Sequence, residues 1–188
     1  MNRVKLSKTV SYILRHNPRD FGLELAADGS VSLQELTEAL RDKFQGLDED
    51  DLIDLVRDDP RGRFSILAGG KRIKANYGHS IEGIDPDYRA VEPPEYLFHG
   101  SRPDVRDKIM EEGLKPMSRN YVHLSQTVQE AKRVARRRTD NPLIFRVKAR
   151  EAHQEGVKFY RAGTEASGQA EAEIYLTDRV GPEYLQIE

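Results

Sequence analysis

Apolar residues at the start of the chain recur at helical spacing. Leu6, Val10, Ile13 and Leu14 share one face, and Asn17-Pro18 supplies a stop, because the residue before proline is pushed out of the helical region. The pattern predicts a helix from about Ser7 to His16. Asp28-Gly29-Ser30 reads as a turn, and Ser32 with Glu35 three residues on forms a capping box ahead of Leu36, Ala39 and Leu40. Asp48 caps a third helix whose apolar face holds Leu52, Ile53 and Val56, and Asp59-Pro60 ends it. Phe64 to Leu67, Gly69-Gly70 and Arg72 to Ala75 then read as a strand, a tight turn and a returning strand. Three helices and such a wing describe a winged-helix lobe, placed at residues 1–82.

Residues 83–94 are rich in Asp, Glu, Pro and Tyr, show no sustained period and read as a linker. The pattern then changes. Tyr96 to His99, Val122 to Leu124, Pro142 to Val147 and Glu173 to Leu176 are short strand-like runs, separated by helical stretches around Val105 to Glu112 and Thr127 to Arg138. Glu165 to Glu173 is polar and small-sided, an ordered loop or a mobile flap. The expected class is α+β, with residues 95–188 as a second lobe.

Composition narrows the picture. The chain has 188 residues, 37% of them hydrophobic, which suits two lobes of modest core better than one large core. A third of the residues are charged, yet the net charge is −2, so a polyanion must meet a local patch rather than the molecule as a whole. The absence of cysteine excludes disulfides, thiolate zinc sites and a thiol nucleophile, and suits a reducing cytoplasm. No signal-peptide pattern and no long apolar run is evident, so a soluble cytoplasmic protein without membrane contact, monomeric by default, is expected. The five histidines form no i, i+4 pair and no metalloprotease pattern, so no metal is expected. No glycine-rich loop of the Rossmann or P-loop kind occurs either.

The candidate chemistry lies in arginines and histidines. Guanidinium groups stay charged and fork onto phosphate oxygens. Arg15 and His16 close the first helix, where cations are also favoured by the helix dipole, so a purely structural role explains them equally well. Lys8 and Tyr12 share their face at i, i+4 spacing with His16, and that face presents several donors to a ligand. Arg63, Lys71, Arg72 and Lys74 in the wing serve alternatively as a solvated edge that blocks aggregation. Lys132, Arg133 and Arg136 to Arg138 are natural cations of a helix C-terminus. His99 and His123 each end a short apolar run; they are either satisfied core histidines or partners for nucleotide ribose hydroxyls, with Gly100 allowing close backbone approach.

Taken together these segments carry a resemblance. Leu6-Ser7-Lys8 through Leu14-Arg15-His16, Arg63-Phe64, Gly78-His79-Ser80-Ile81, Phe98-His99-Gly100-Ser101, Met117-Ser118-Arg119-Asn120 with Val122-His123-Leu124-Ser125, and Tyr175-Leu176-Thr177 occur in order. Over nearly the whole chain they resemble the NAD-dependent RNA 2′-phosphotransferase family. The resemblance implies an N-terminal winged-helix lobe that engages RNA, a C-terminal ADP-ribosyltransferase-like lobe that binds NAD, and an active site between them. It implies a catalytic Arg-His-Arg-Arg tetrad whose first members match Arg15, His16 and Arg63. The fourth falls in Arg136-Arg137-Arg138: alignment from Ala131 and Val134 favours Arg137, alignment back from Pro142 favours Arg138, and Arg138 is assigned. His99, Gly100, Ser101, Ser118, Arg119, Asn120, His123 and Ser125 match the NAD-pocket segments. Tyr77 stands where the family has glutamine, expected on the RNA-facing surface, and Gly181 stands where it has proline.

The implied substrate is RNA bearing an internal 2′-phosphate, with tRNA splice junctions as the suggested source, and NAD+ is consumed as co-substrate. The phosphate attacks the ribose carbon of NAD+ and releases nicotinamide; the ribose 2″-hydroxyl then attacks phosphorus. Products are RNA with a 2′-hydroxyl and ADP-ribose 1″,2″-cyclic phosphate. Two rival readings are a nucleic-acid binder whose second lobe is a scaffold, and an ADP-ribosyltransferase acting on nucleic-acid phosphate ends or on proteins.

Overall fold

The computed structural model describes residues 2–67, 69–84, 86, 88–162 and 174–188. These fall into two compact units, residues 2–86 and residues 88–162 with 174–188. Helices and antiparallel strands are mixed in both, an α+β fold.

In the first unit, α1 (Arg3–Arg15) begins earlier than its apolar pattern predicts. Asn2 accepts a hydrogen bond from the Lys5 amide at 3.0 Å, so a side-chain cap starts the helix one turn before its first core residue, Leu6. Strand β1 (Ser30–Ser32) follows, then α2 (Leu33–Leu40), α3 (Glu49–Arg57), β2 (Phe64–Ile66) and β3 (Arg72–Ala75). The three strands form one antiparallel sheet in the order β1-β3-β2. Of the capping box expected at Ser32, the structure shows the Glu35 amide donating to Ser32 Oγ at 3.4 Å. The reciprocal box forms at α3 instead, where Asp48 and Asp51 each accept the other's amide. Leu6, Val10, Ile13, Leu14, Leu36, Leu40, Leu52, Phe64 and Ile73 pack into one core cluster. Burying each such side chain contributes about 1.5–3 kcal/mol before the entropy of ordering is set against it.

The second unit contains β4 (Arg89–Ala90), β5 (Leu97–Ser101), α4 (Arg106–Glu112), β6 (Val122–Ser125), α5 (Val128–Ala135), β7 (Leu143–Val147), α6 (Ala149–Gln154), β8 (Phe159–Ala162), β9 (Ile174–Thr177) and β10 (Leu185–Ile187). The strands run antiparallel in the order β10-β7-β5-β6-β9-β8-β4. Their pairing is uneven. β5 matches β7 through every residue from Leu97 to Ser101, and β6 matches β9 through every residue from Val122 to Ser125, whereas β5 and β6 share the single registered pair Phe98 and Ser125. Backbone pairing in the sheet is thus thinnest between β5 and β6, which divides it into two fully paired halves.

Several elements depart from expectation. Arg89 and Ala90, inside the segment read as a linker, pair with Arg161 and Tyr160 of β8. The helix expected to reach Arg138 ends at Ala135, and Arg136 to Arg138 occupy a terminal turn in which the Arg138 amide donates to the Ala135 carbonyl at 2.9 Å. Helix α6 went unread because its buried residues are two alanines, Ala149 and Ala152, which carry little hydrophobic signal. The segment Glu165 to Glu173 lies outside the described residues.

Candidate functional site

In the first unit, α1 stops where Asn17-Pro18 interrupts it, and His16 is its last capped residue, its amide donating to the Tyr12 carbonyl at 2.9 Å. The segment after β3 returns to this end of the helix. The Ser80 amide donates to the Arg15 carbonyl at 2.9 Å, and Ser80 Oγ stands 2.9 Å from His16 Nδ1. Gly78 beside the Arg15 side chain adopts φ +90°, a left-handed backbone conformation that glycine takes without strain. The Arg15 guanidinium lies 4.7 Å from the centre of the Tyr77 ring and 5.9 Å from that of Phe64. Arg63 lies 5.7 Å from the same Phe64 ring. Arg15, His16 and Arg63 thus share one corner of the unit.

Arg63 is aimed by a residue that the sequence showed only as a helix stop. Asp59 is buried and accepts from Arg63 Nη2 at 2.8 Å, from Arg63 Nε at 3.1 Å and from the Arg63 amide at 2.6 Å. Burial alone raises the Asp59 carboxyl, but these hydrogen bonds and the Arg63 charge outweigh it and hold the group below its ordinary value. Asn76 fixes the neighbouring backbone, its amide donating to the Arg63 carbonyl and its side chain to the Gly62 carbonyl, both at 2.8 Å. A carboxylate four residues before Arg63 was the available signal. Tyr77 is not on the surface as expected: it is 8% exposed, and its hydroxyl donates to the Arg61 carbonyl at 3.2 Å. Its ring serves as a platform under Arg15.

His79 is buried as well, and neither ring nitrogen has a hydrogen-bond partner among the described residues. Burial first, then the charges of Arg15, Lys74 and His16, push its imidazole down to about 4, so it is neutral near neutral pH.

In the second unit, His99 Nδ1 donates to the His123 carbonyl at 3.0 Å, bridging β5 and β6 next to their single registered pair. His123 Nδ1 in turn donates to the Tyr121 carbonyl at 3.0 Å. Burial lowers the His99 imidazole from its ordinary value, and the charges of Arg119 and Arg138 push the same way against the His123 hydrogen bond. A neutral ring with its proton on Nδ1 leaves Nε2 as an acceptor. Arg119 and Arg138 are therefore near enough for their fields to be felt at His99.

Gly100 has a packing reason: a Cβ there would stand 2.5 Å from the Ala131 carbonyl oxygen and 2.7 Å from Ala135 Cβ. It is α5 that approaches this glycine closely. Ser101 ends β5 opposite Leu143, and Ser125 ends β6 opposite Phe98 and Ile174. Ser118, Arg119 and Asn120 lie in the segment leading into β6, with Ser118 exposed and the other two half-buried. Among the described residues no group of three or more histidine, aspartate or glutamate side chains is placed to hold a metal ion.

A sequence profile described as "RNA 2′-phosphotransferase, Tpt1 / KptA family" matches residues 1–167. The chain belongs to this family. It is 37% identical over 187 residues to the "Probable RNA 2′-phosphotransferase" of Acetivibrio thermocellus, covering 98% of this chain and 96% of that protein. It is 39% identical over 184 residues to the protein of the same name in Nostoc punctiforme, covering 97% and 96%. A third, from Rhizobium leguminosarum bv. trifolii, is 44% identical over 156 residues, 83% of each chain. The family match spans Arg15, His16, Arg63 and Arg138, and no described helix is long and apolar enough to cross a membrane.

Proposed function

We propose that the protein removes an internal 2′-phosphate from RNA by transferring it to NAD+. The observation that carries this reading is the corner in which Arg15 and Arg63 lie over one Phe64 ring beside His16. A phosphate monoester is already an anion and needs no base to become a nucleophile; it needs cations that orient it and absorb charge in the transition state. Family membership and the relatives' names support RNA as the phosphate carrier.

The first unit is read as a winged-helix RNA lobe of residues 1–82, supported by its three helices and three-stranded antiparallel sheet. Residues 83–94 connect this lobe to the next, with Arg89 and Ala90 paired into the second unit's sheet, and residues 95–188 are read as the ADP-ribosyltransferase-like lobe. The thin pairing between β5 and β6 supports a dinucleotide pocket there, and the residues fit one. His99 offers an acceptor to a ribose hydroxyl, and Arg119 and Arg138 supply positive charge for phosphate. Gly100, Ser101, Ser118, Asn120, His123 and Ser125 are assigned to the same pocket.

In the first step a 2′-phosphate oxygen attacks the ribose carbon bearing nicotinamide, the carbon–nitrogen bond breaks, and nicotinamide leaves with the electron pair. In the second, the adjacent ribose hydroxyl attacks phosphorus, the bond to the RNA 2′-oxygen breaks, and that oxygen takes up a proton. Arg15, Arg63 and Arg138 spread the charge that builds on the phosphoryl oxygens, and His16 donates a hydrogen bond to one of them. The products are 2′-hydroxyl RNA, nicotinamide and ADP-ribose 1″,2″-cyclic phosphate. We assign tRNA carrying a splice-junction 2′-phosphate, in the cytoplasm, as the substrate, and a monomer as the working state.

Incubation of a 2′-phosphorylated oligoribonucleotide with NAD+ tests this. The cyclic phosphate and dephosphorylated RNA are expected by mass spectrometry. ADP-ribosylated RNA as the end product would instead assign a transferase that stops after the first step, and RNA left unchanged would refute both.

A further inference from the structure

Beside the phosphate corner, α1 carries a second feature. A groove of ≈ 520 Å³ runs along its exposed face in the first unit. Lys5, Lys8 and Tyr12 line it from α1, Asp20 and Phe21 from the turn after Asn17, and Lys43 from the turn after α2. That volume lies within the ~300–1,000 Å³ of small-ligand pockets and suits one nucleotide rather than a duplex.

The lining is built for a charged, flat ligand. Tyr12 is 42% exposed, and its hydroxyl donates to Asp20 Oδ2 at 2.8 Å while Phe21 meets its ring edge-on at 6.5 Å, so the ring is held in place. Lys43 Nζ stands 5.5 Å from the centre of the Phe21 ring, and Lys5 Nζ 6.0 Å from that of Phe44. Cations over aromatic faces lose less freedom on binding an anion than lysines waving in solvent. Three lysines face one carboxylate, and that carboxylate already accepts from Tyr12. The groove also abuts the candidate catalytic residue: the Tyr12 and His16 rings are 6.3 Å apart.

We propose that this groove takes the nucleotide adjoining the 2′-phosphorylated residue of the RNA strand, its base stacked on Tyr12 and its phosphate held by Lys8 and Lys43. This rests on reading His16 as part of the phosphate site. Aromatic faces interleaved with cations form a sequence-tolerant platform for single strands. An acidic peptide would use the cations alone, so the exposed ring favours a base.

Two variants, Lys8→Glu with Lys43→Glu, and Tyr12→Leu, are compared with the unaltered protein. The substrates are a hexaribonucleotide with an internal 2′-phosphate and a 2′-phosphorylated mononucleotide, which has no adjoining nucleotide to place in the groove. The ratio of kcat/KM for hexamer over mononucleotide is expected to fall roughly tenfold in each variant. Fluorescence anisotropy with a hexamer lacking the 2′-phosphate should show weaker binding by both. The lysine variant should also lose about 1–2 from the slope of log affinity against log salt, and Tyr12→Leu should keep the slope. An unaltered ratio, or a hexamer affinity that both variants leave intact, overturns the proposal. If the unaltered protein turns over neither substrate, the phosphate reading fails while the anisotropy still decides the groove. Displacement of the hexamer by poly-glutamate with equal strength from the unaltered protein and Tyr12→Leu would assign the groove to a protein partner and also overturn it.

Discussion

His16 Nδ1 and Ser80 Oγ are 2.9 Å apart, and the Ser80 backbone is anchored to the carbonyl of Arg15, the residue preceding that histidine. A hydroxyl both donates and accepts, so Ser80 can serve either charge state of the ring. Its proton points at Nδ1 when the imidazole is neutral. When the imidazole is charged, Nδ1–H points at Ser80 Oγ, whose proton turns to the Arg15 carbonyl at 3.4 Å. Where Ser80 donates to Nδ1, the neutral ring keeps its proton on Nε2. Ser80→Ala is expected to lower kcat by about fivefold, the value of roughly 1 kcal/mol of hydrogen bonding, and Ser80→Thr to restore it. Nitrogen chemical shifts of the His16 ring should report Nε2–H in the unaltered protein and a tautomer mixture in Ser80→Ala. A ring with the same tautomer in both proteins would remove Ser80 from this role.

Asp59 sets the aim of Arg63, and its loss should separate folding from chemistry. Asp59→Ala removes hydrogen bonds to a charged, half-buried guanidinium and should destabilise the first unit by about 2 kcal/mol in denaturant melts. Because the folded-state carboxyl is held below its unfolded value, its stabilisation is complete above roughly pH 4 and is lost as pH falls through the depressed value. Asp59→Asn should flatten that acid limb. On the proposed reaction, either variant accumulates ADP-ribosylated RNA, because a misdirected Arg63 fails mainly in the second step; turnover without adduct would count against it.

His79 supplies a second pH dependence of known sign. Its folded-state value is about 4, below the ordinary histidine value of about 6.5, so the unfolded chain takes up the proton first. Stability is fully present above pH 6.5 and falls as the pH drops toward 4. At pH 5 the loss should be about 2 kcal/mol, at 1.36 kcal/mol per pH unit. His79→Leu should lose correspondingly less between pH 7 and pH 5 in urea titrations; equal losses would mean that His79 is charged in the folded protein.

Gly100 distinguishes helix packing from ligand approach. Gly100→Ala places a methyl against the Ala131 carbonyl and Ala135, which α5 can relieve only by moving outward. Overpacking of this kind costs about 1–3 kcal/mol, or some 2–4 °C of Tm per kcal/mol in a chain of this size. On the proposed reaction, the terminal turn bearing Arg138 should shift with the helix and raise the KM for NAD+. An unaltered Tm with a raised KM would return Gly100 to a purely ligand-facing role.

The apolar spacing of Leu6, Val10, Ile13 and Leu14 marked α1, and turn residues marked the β2–β3 hairpin, because those signals are local. What escaped was short or distant. Strand β1 is three residues long and its last residue, Ser32, also caps α2, so no alternation could emerge. The tie between Ser80 and His16 spans 64 positions and exists only once β3 is laid into its sheet. Tyr77 looked like a surface departure from the family pattern, since nothing local shows that Arg15 lies over its ring. The candidate residues themselves were legible through motif resemblance, whereas their supports, Asp59, Asn76 and Ser80, needed coordinates.

Phe64 is the ring beneath both Arg15 and Arg63. Two guanidinium groups repel each other, and a flexible pair would drift apart until an anion drew them together. Here the buried Asp59 carboxylate balances the charge of Arg63, the electron-rich Phe64 face adds to that, and the folding of β2 into its core sets their spacing beforehand. An arriving phosphate meets charges already gathered, so little reorganisation remains to be done when the bond to phosphorus begins to change.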